Sequence, residues 1–117
     1  MNLKSQVSAI MPQVNELRWQ IHQHPELSLY EEKTAALVER QLTAVGLVPQ
    51  RVTNTGVVAV LRGGQPGKTI ALRADMDALP LSEKTDSPYS SRADGVMHAC
   101  GHDVHTAVLL GVARLLA

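Results

Sequence analysis

The sequence predicts an α/β or α+β protein, and three features of its patterning carry that expectation. Apolar residues recur at helical spacing through the first 45 positions. Two apolar, β-branched runs follow, joined by a glycine- and proline-rich link. A last apolar stretch then returns to helical spacing and runs to Ala117.

The elements can be justified in order. Leu3, Val7, Ile10, Val14, Leu17 and Ile21 alternate steps of four and three, which places them on one helix stripe. The stripe is too short for a coiled coil. Pro12 falls inside it and lacks a backbone donor, so a kink, or a helix beginning near Pro12, is expected. His24-Pro25 ends the pattern, because the residue before proline avoids helical geometry. Ser28 and Glu31 then read as a reciprocal capping box for a second helix. Ala35, Val38, Leu42 and Val45 form its apolar face, and Gly46 is placed to close it. Leu47 to Val52 reads as a short extended piece.

Residues 56–61 (GVVAVL) and 69–74 (TIALRA) read as strands, and the GGQPG link between them predicts an antiparallel hairpin. Residues 81–95 are polar and turn-rich, a surface excursion. Residues 106–117 are apolar nearly all round, so this last helix is expected to be buried. It carries no stop signal, and the chain reads as incomplete at its C-terminus.

Composition excludes several functional classes. The chain has 117 residues and one cysteine, which suits one domain without an internal disulfide. Its 11 basic residues balance 11 acidic ones, so no basic surface for nucleic acid is expected. One Trp, two Tyr and no Phe leave few platforms for stacking single-stranded bases. No apolar run reaches the roughly 20 residues of a membrane helix, and MNLKSQVSAIMPQ is a poor signal peptide. A soluble, cytoplasmic protein without nucleic-acid or membrane partners is the expectation.

Two segments carry chemistry. Asp75 and Asp77 sit at i and i+2 after the second predicted strand, so on extended backbone their carboxylates point the same way. Such a pair can ligate a metal, orient a metal-bound histidine, or move protons, and it can also be a solvated turn. The segment His98-Ala99-Cys100-Gly101-His102-Asp103-Val104-His105 holds five potential donors in eight residues. Thiolate and imidazole suit zinc, manganese, cobalt or nickel. Cys100 and His102 fall on one side of an extended segment, and Gly101 lets both converge on one ion. Asp103 and His105 are then placed to fix imidazole orientation. The competing readings are a buried free cysteine with backbone-satisfied histidines, or a Cys-His dyad, whose partners normally lie far apart in sequence. No C-x-x-C or second ligand pair supports a zinc finger. His22 and His24 read as terminating the first helix, and Trp19 as core or interface.

These segments resemble a known family. HQHPEL (22–27), GVVAVL (56–61), LRADMDALP (72–80) and GVMHACGHDVHTAVLLGVARLLA (95–117) are similar to the N-terminal part of the M20 metallopeptidases. The likeness is strongest to the amidohydrolase subfamily of N-acyl-amino-acid, hippurate and indole-acetyl-amino-acid hydrolases. It implies an α/β fold in which residues 1–117 are the N-terminal portion of a zinc-peptidase-like catalytic domain, with helices packed on a mixed sheet and a lid or dimerisation domain inserted later. It implies two divalent ions, hydrolysis of an N-acyl amino acid or peptide amide, and homo-oligomerisation of the complete enzyme. By position, Cys100 and His102 match metal ligands, and Asp77 matches the acidic residue that supports the site. Asp75 lies where other branches of the clan carry a metal-binding histidine. The general-base glutamate and remaining ligands of the family fall beyond position 117, so this chain alone is expected to be inactive. A small non-enzymatic metal-binding protein and an M20 dipeptidase or aminopeptidase are the alternatives.

Overall fold

The computed structural model describes residues 2–117. Its element order is α1 (Leu3–Gln23), α2 (Glu32–Ala44), β1 (Gln50–Val52), β2 (Gly56–Val58) and α3 (His102–Leu116). Helix α1 begins at Leu3 because the Asn2 side chain caps it, its Oδ1 accepting from the Ser5 N–H at 2.8 Å and the Ser5 hydroxyl at 3.0 Å. A fresh start at Pro12 is not the observed arrangement, since α1 runs from Leu3 to Gln23 with Pro12 inside it. Proline cannot donate to the Ser8 carbonyl, but Ser8 is exposed and that carbonyl is open to water. The apolar stripe is buried only in its second half, at Val14 and Ile21, whereas Leu3 and Val7 are exposed.

The start of α2 corrects the capping-box expectation. Ser28 is exposed and caps nothing, and Glu31 occupies the N-cap without a side-chain hydrogen bond. Glu26 acts instead: its carboxylate accepts from the Lys33 N–H (3.0 Å), the Thr34 N–H (2.7 Å) and the Thr34 hydroxyl (2.6 Å). A carboxylate here satisfies orphan amides and complements the positive end of the helix. The closing signal holds. Gly46, at φ +87°, bonds back to Thr43, and Leu47 bonds back to Leu42, which is the paired closure that a left-handed residue after a helix permits.

The strands correct the sequence reading further. β1 pairs antiparallel with β2, Gln50 opposite Val58 and Val52 opposite Gly56. The predicted hairpin between 56–61 and 69–74 does not form. The turn at residues 53–55 brings 50–52 onto 56–58 first, and glycine is required there because a Cβ at Gly56 would lie 2.7 Å from the Val52 carbonyl oxygen. Residues 69–74 are exposed throughout except Ala74 and have no strand partner among the described residues.

Further along the same extended run, the backbone is held on both sides. Ala78 N–H donates to the Glu26 carbonyl at 2.8 Å, while Leu79 and Met97 exchange two bonds of 2.9 and 3.0 Å. Residues 77–79 are thereby fixed between the segment after α1 and the segment before α3.

Helix α3 starts four residues earlier than the periodicity suggested and is not buried all round, since Val104, Val108 and Leu116 are exposed. Its inner face, Ala107 and Leu110, joins Val14, Ile21, Ala35, Leu37, Val38 and Ala78 in the core. No helix among the described residues is long and apolar enough to cross a membrane.

Helices α1 and α3 pack tightly at Gly111, where an added Cβ would lie 2.9 Å from Val14 Cγ2 and 3.4 Å from Ile10 Cδ1. Gly111→Val is therefore expected to lower stability by about 1–3 kcal/mol through overpacking. Urea unfolding of the two proteins measures this, and equal midpoints would mean that the helices do not meet there.

Candidate metal site

The early start of α3 changes the geometry of the donor segment. Gly101 adopts a left-handed conformation (φ +81°, ψ 15°) as the N-cap, and His102 is the first helical residue. The extended arrangement expected for Cys100 and His102 is thus replaced by a turn into a helix. Cys100 lies exposed just outside it.

His102 meets the strand-end segment directly. Its Nδ1 lies 3.0 Å from Asp77 Oδ1 and 2.9 Å from the Asp77 carbonyl oxygen. Both oxygens can only accept, so Nδ1 carries a hydrogen, and it is Nε2 that holds the lone pair of the neutral ring. Asp75 stands on the Nε2 side, with Oδ2 3.9 Å away, beyond hydrogen-bonding distance. Asp75 instead pairs with exposed Arg73 at 2.9 Å, and its carbonyl accepts from the Thr106 hydroxyl at 2.9 Å. The two carboxylates therefore have different partners.

A metal fits this donor set on one side. Imidazole Nε2, freed by a carboxylate on Nδ1, is the usual form of a ligating histidine, and a neighbouring exposed thiol suits the same borderline ions. No group of three or more His, Cys, Asp or Glu is gathered as a metal cage among the described residues. His105 is exposed, its ring 6.0 Å from that of His102, and does not complete one.

Behind this site lies a buried polar network that the sequence did not reveal. Asp103 is 1% exposed. Its Oδ2 accepts from His22 Nδ1 at 2.8 Å and from Arg18 Nε at 3.1 Å. The other nitrogen of His22 faces both Glu83 oxygens at 3.0 and 3.1 Å. His22 is therefore no helix terminator, whereas His24 does occupy the C-cap of α1. Arg18 also lies over the Tyr89 ring, 5.0 Å from its centroid, and Tyr89 stacks on half-exposed Trp19. The available signal was Arg18 and His22 at i and i+4 beside the apolar stripe, a donor pair on one helix face.

Electrostatics follow from these contacts. Burial pushes the Asp103 carboxyl up, but hydrogen bonds from His22, Arg18 and the Val104 N–H outweigh it and hold it below its ordinary value. Burial likewise opposes ionisation of Glu83, yet bonds from Thr85, His22 and the Ser91 N–H bring it from 4.5 to about 2. His98 is buried with no partner for either ring nitrogen among the described residues, and burial first, then the nearby His22 and His102, lower its proton affinity against the pull of Asp103 and Asp77.

Comparison with known proteins gives a consistent picture. Residues 71–117 match peptidase family M20/M25/M40. Thermostable carboxypeptidase 1 of Saccharolobus solfataricus is 49% identical over 116 residues, covering 97% of this chain and 30% of that protein. An N-acyl-L-amino acid amidohydrolase of Geobacillus stearothermophilus is 48% identical over 116 residues, covering 98% and 31%. The crystal structure of Bacillus subtilis YXEP, described as a dinuclear metal-binding peptidase of the M20 family, superposes with a TM-score of 0.88 at 43% identity, covering 93% of this chain and 31% of that one. The chain thus spans about 30% of the length of the relatives it matches.

The depressed Glu83 gives a pH prediction. A carboxylate with a lowered folded value contributes stability that is complete above its unfolded value of 4.5 and is lost as pH falls towards 2. Stability should decline across that window, with Glu83 accounting for about 1–3 kcal/mol of the loss. Denaturant titrations from pH 6 to pH 2 should show a shallower decline in Glu83→Gln, and parallel curves would remove Glu83 from the account.

Proposed function

The chain belongs to peptidase family M20/M25/M40, and from that premise we propose that residues 1–117 supply one side of the metal centre of an amide-bond hydrolase. The observation that carries this reading is the His102–Asp77 pair, which leaves Nε2 of His102 free two residues along from the exposed Cys100.

Cys100 and His102 are the ligands this chain contributes. Asp77 does not touch the ion in this reading. Its carboxylate fixes the tautomer and rotation of the His102 ring, which raises the ligand's basicity. Asp75 is left out of this ligand set: its Oδ1 pairs with Arg73, and its Oδ2 lies 3.9 Å from His102 Nε2. A divalent zinc, manganese, cobalt or nickel ion, one of two in the complete site, supplies carbonyl polarisation and an activated water when bound. Two donors are fewer than the three a catalytic zinc needs. The third donor and the proton-moving glutamate belong to parts of the family fold beyond these residues.

The substrate class follows from what the matched relatives' names share. A carboxypeptidase and an N-acyl-amino-acid amidohydrolase both cleave the amide on the nitrogen of an amino acid whose own carboxylate is free. That group is the proposed recognition element, with the acyl side either a small acid or a peptide.

The test uses cobalt-loaded protein expressed from its own reading frame. Chelator-sensitive release of amino acid from N-acyl amino acids is expected, and substrates with an amidated carboxylate should be poor. Asp77→Asn should weaken cobalt binding about 10–100-fold, read by competition with a chromophoric chelator. The 117 residues alone are expected to bind metal through the Cys100 thiolate and to hydrolyse nothing. Chelator-sensitive hydrolysis by those residues alone would overturn the need for further donors. A stop codon after Ala117 with metal binding and no hydrolysis would favour the non-enzymatic alternative.

A further inference from the structure

We infer that His22 is a positioning residue for the metal ligand His102, acting through Asp103; this rests on the functional reading above. Asp77 fixes how the His102 ring is turned, but not where the start of α3 stands. That second task falls to Asp103, the next residue along. Its side chain points away from the metal side into the core, where one oxygen is gripped by His22 and Arg18 of α1.

His22 is suited to the task for a reason of shape. It stands on the last turn of α1 with both ring nitrogens engaged by carboxylates, Asp103 at 2.8 Å and Glu83 at 3.0 Å. Carboxylates only accept, so each nitrogen donates a hydrogen. A rigid ring with two opposed donors holds Asp103 at a set distance from Glu83. Glu83 is itself tied to the loop by the Ser91 N–H at 2.6 Å. The first turn of α3 is thereby referenced to α1 and to the 83–91 loop at once. A lysine or glutamine could reach one acid, but not both along one rigid line.

The experiment separates the two sides of the ring. Asparagine places an amide where His22 Nδ1 lies, so His22→Asn keeps a donor towards Asp103 and gives up Glu83. Glutamine reaches the Nε2 position, so His22→Gln keeps Glu83 and gives up Asp103. In cobalt-loaded protein from its own reading frame, His22→Gln should raise the cobalt dissociation constant about tenfold and shift the thiolate-to-cobalt absorption band, while His22→Asn recovers most of both. A purely structural role would move the two variants together, in step with their melting temperatures, and that result would overturn the inference. Should His22→Gln fail to fold, Asp103→Asn takes the charge from the oxygen that His22 grips and so weakens the same contact from its other side. A weaker cobalt site in that variant supports the inference, and an unchanged one overturns it. Failure of the wild-type protein to bind cobalt at all would instead sink the metal-site reading on which this one stands.

Discussion

A carboxylate held where water scarcely reaches is the constraint around which α1 and α3 are arranged. Removing an ionised group from water costs several kcal/mol, and the cost is offset only when charged or strong donors replace the lost solvent. Asp103 receives its two donors from a single helix face, because Arg18 and His22 are one turn apart. The grip therefore orients α1 relative to α3 as well as satisfying a charge. Asp103 also lies in the first turn of α3, where the open amides favour an anion, so burial and helix polarity act on the same group in opposite senses. The apolar contacts follow that alignment, with Gly111 letting the helices close on Val14.

The second frame is backbone rather than side chain. Residues 77–79 are bonded on one side to the turn after α1 and on the other to Met97, so three stretches distant in sequence meet at the segment that holds Asp77. The same Glu26 whose carbonyl takes the Ala78 N–H also caps α2 with its carboxylate. One residue thus ties the second helix to the strand-end segment, which is bonded on both sides while the run before it has no strand partner among the described residues. Residues 69–73 share none of these bonds and expose Ile70 and Leu72. A strand apolar on both faces is suited to burial between two layers, and one without a partner leaves that surface to water.

How much of this was legible depended on the range of the interaction. Helices α1 and α2, the Gly46 closure and the final helix followed from local periodicity and local chemistry, which sequence records directly. The donor segment was legible in composition but not in conformation: C-G-H reads as extended until the left-handed Gly101 turns it into a helix cap. Ser28 looked like the cap of α2, yet Glu26 took that place, because a bend through Leu29 at positive φ brings a longer acidic side chain over the helix end. The hairpin was misplaced for a similar reason. Composition marked GGQPG as the turn, while the tighter turn at 53–55 needed only a glycine at 56. The His22–Asp103–Glu83 line was invisible, since its members lie 61 and 81 positions apart.

These two frames converge on His102 from opposite directions, and the convergence accounts for the order of the residues around it. Asp77 approaches the ring from the extended segment, and Asp103 holds the backbone of the same residue from the core side. Their numbers differ by 26, yet in the proposed metal site both answer the same physical need, since an imidazole ligand is useful only when its free nitrogen points along a fixed line. Gly101 completes the logic. A residue with a side chain would resist φ near +80°, and without that turn Cys100 would continue away from the helix rather than sit at its mouth. In the proposed site the run Cys100-Gly101-His102-Asp103 would supply four successive tasks: a soft donor, a reversal of the chain, a directed imidazole, and an anchor that keeps the imidazole's helix in place.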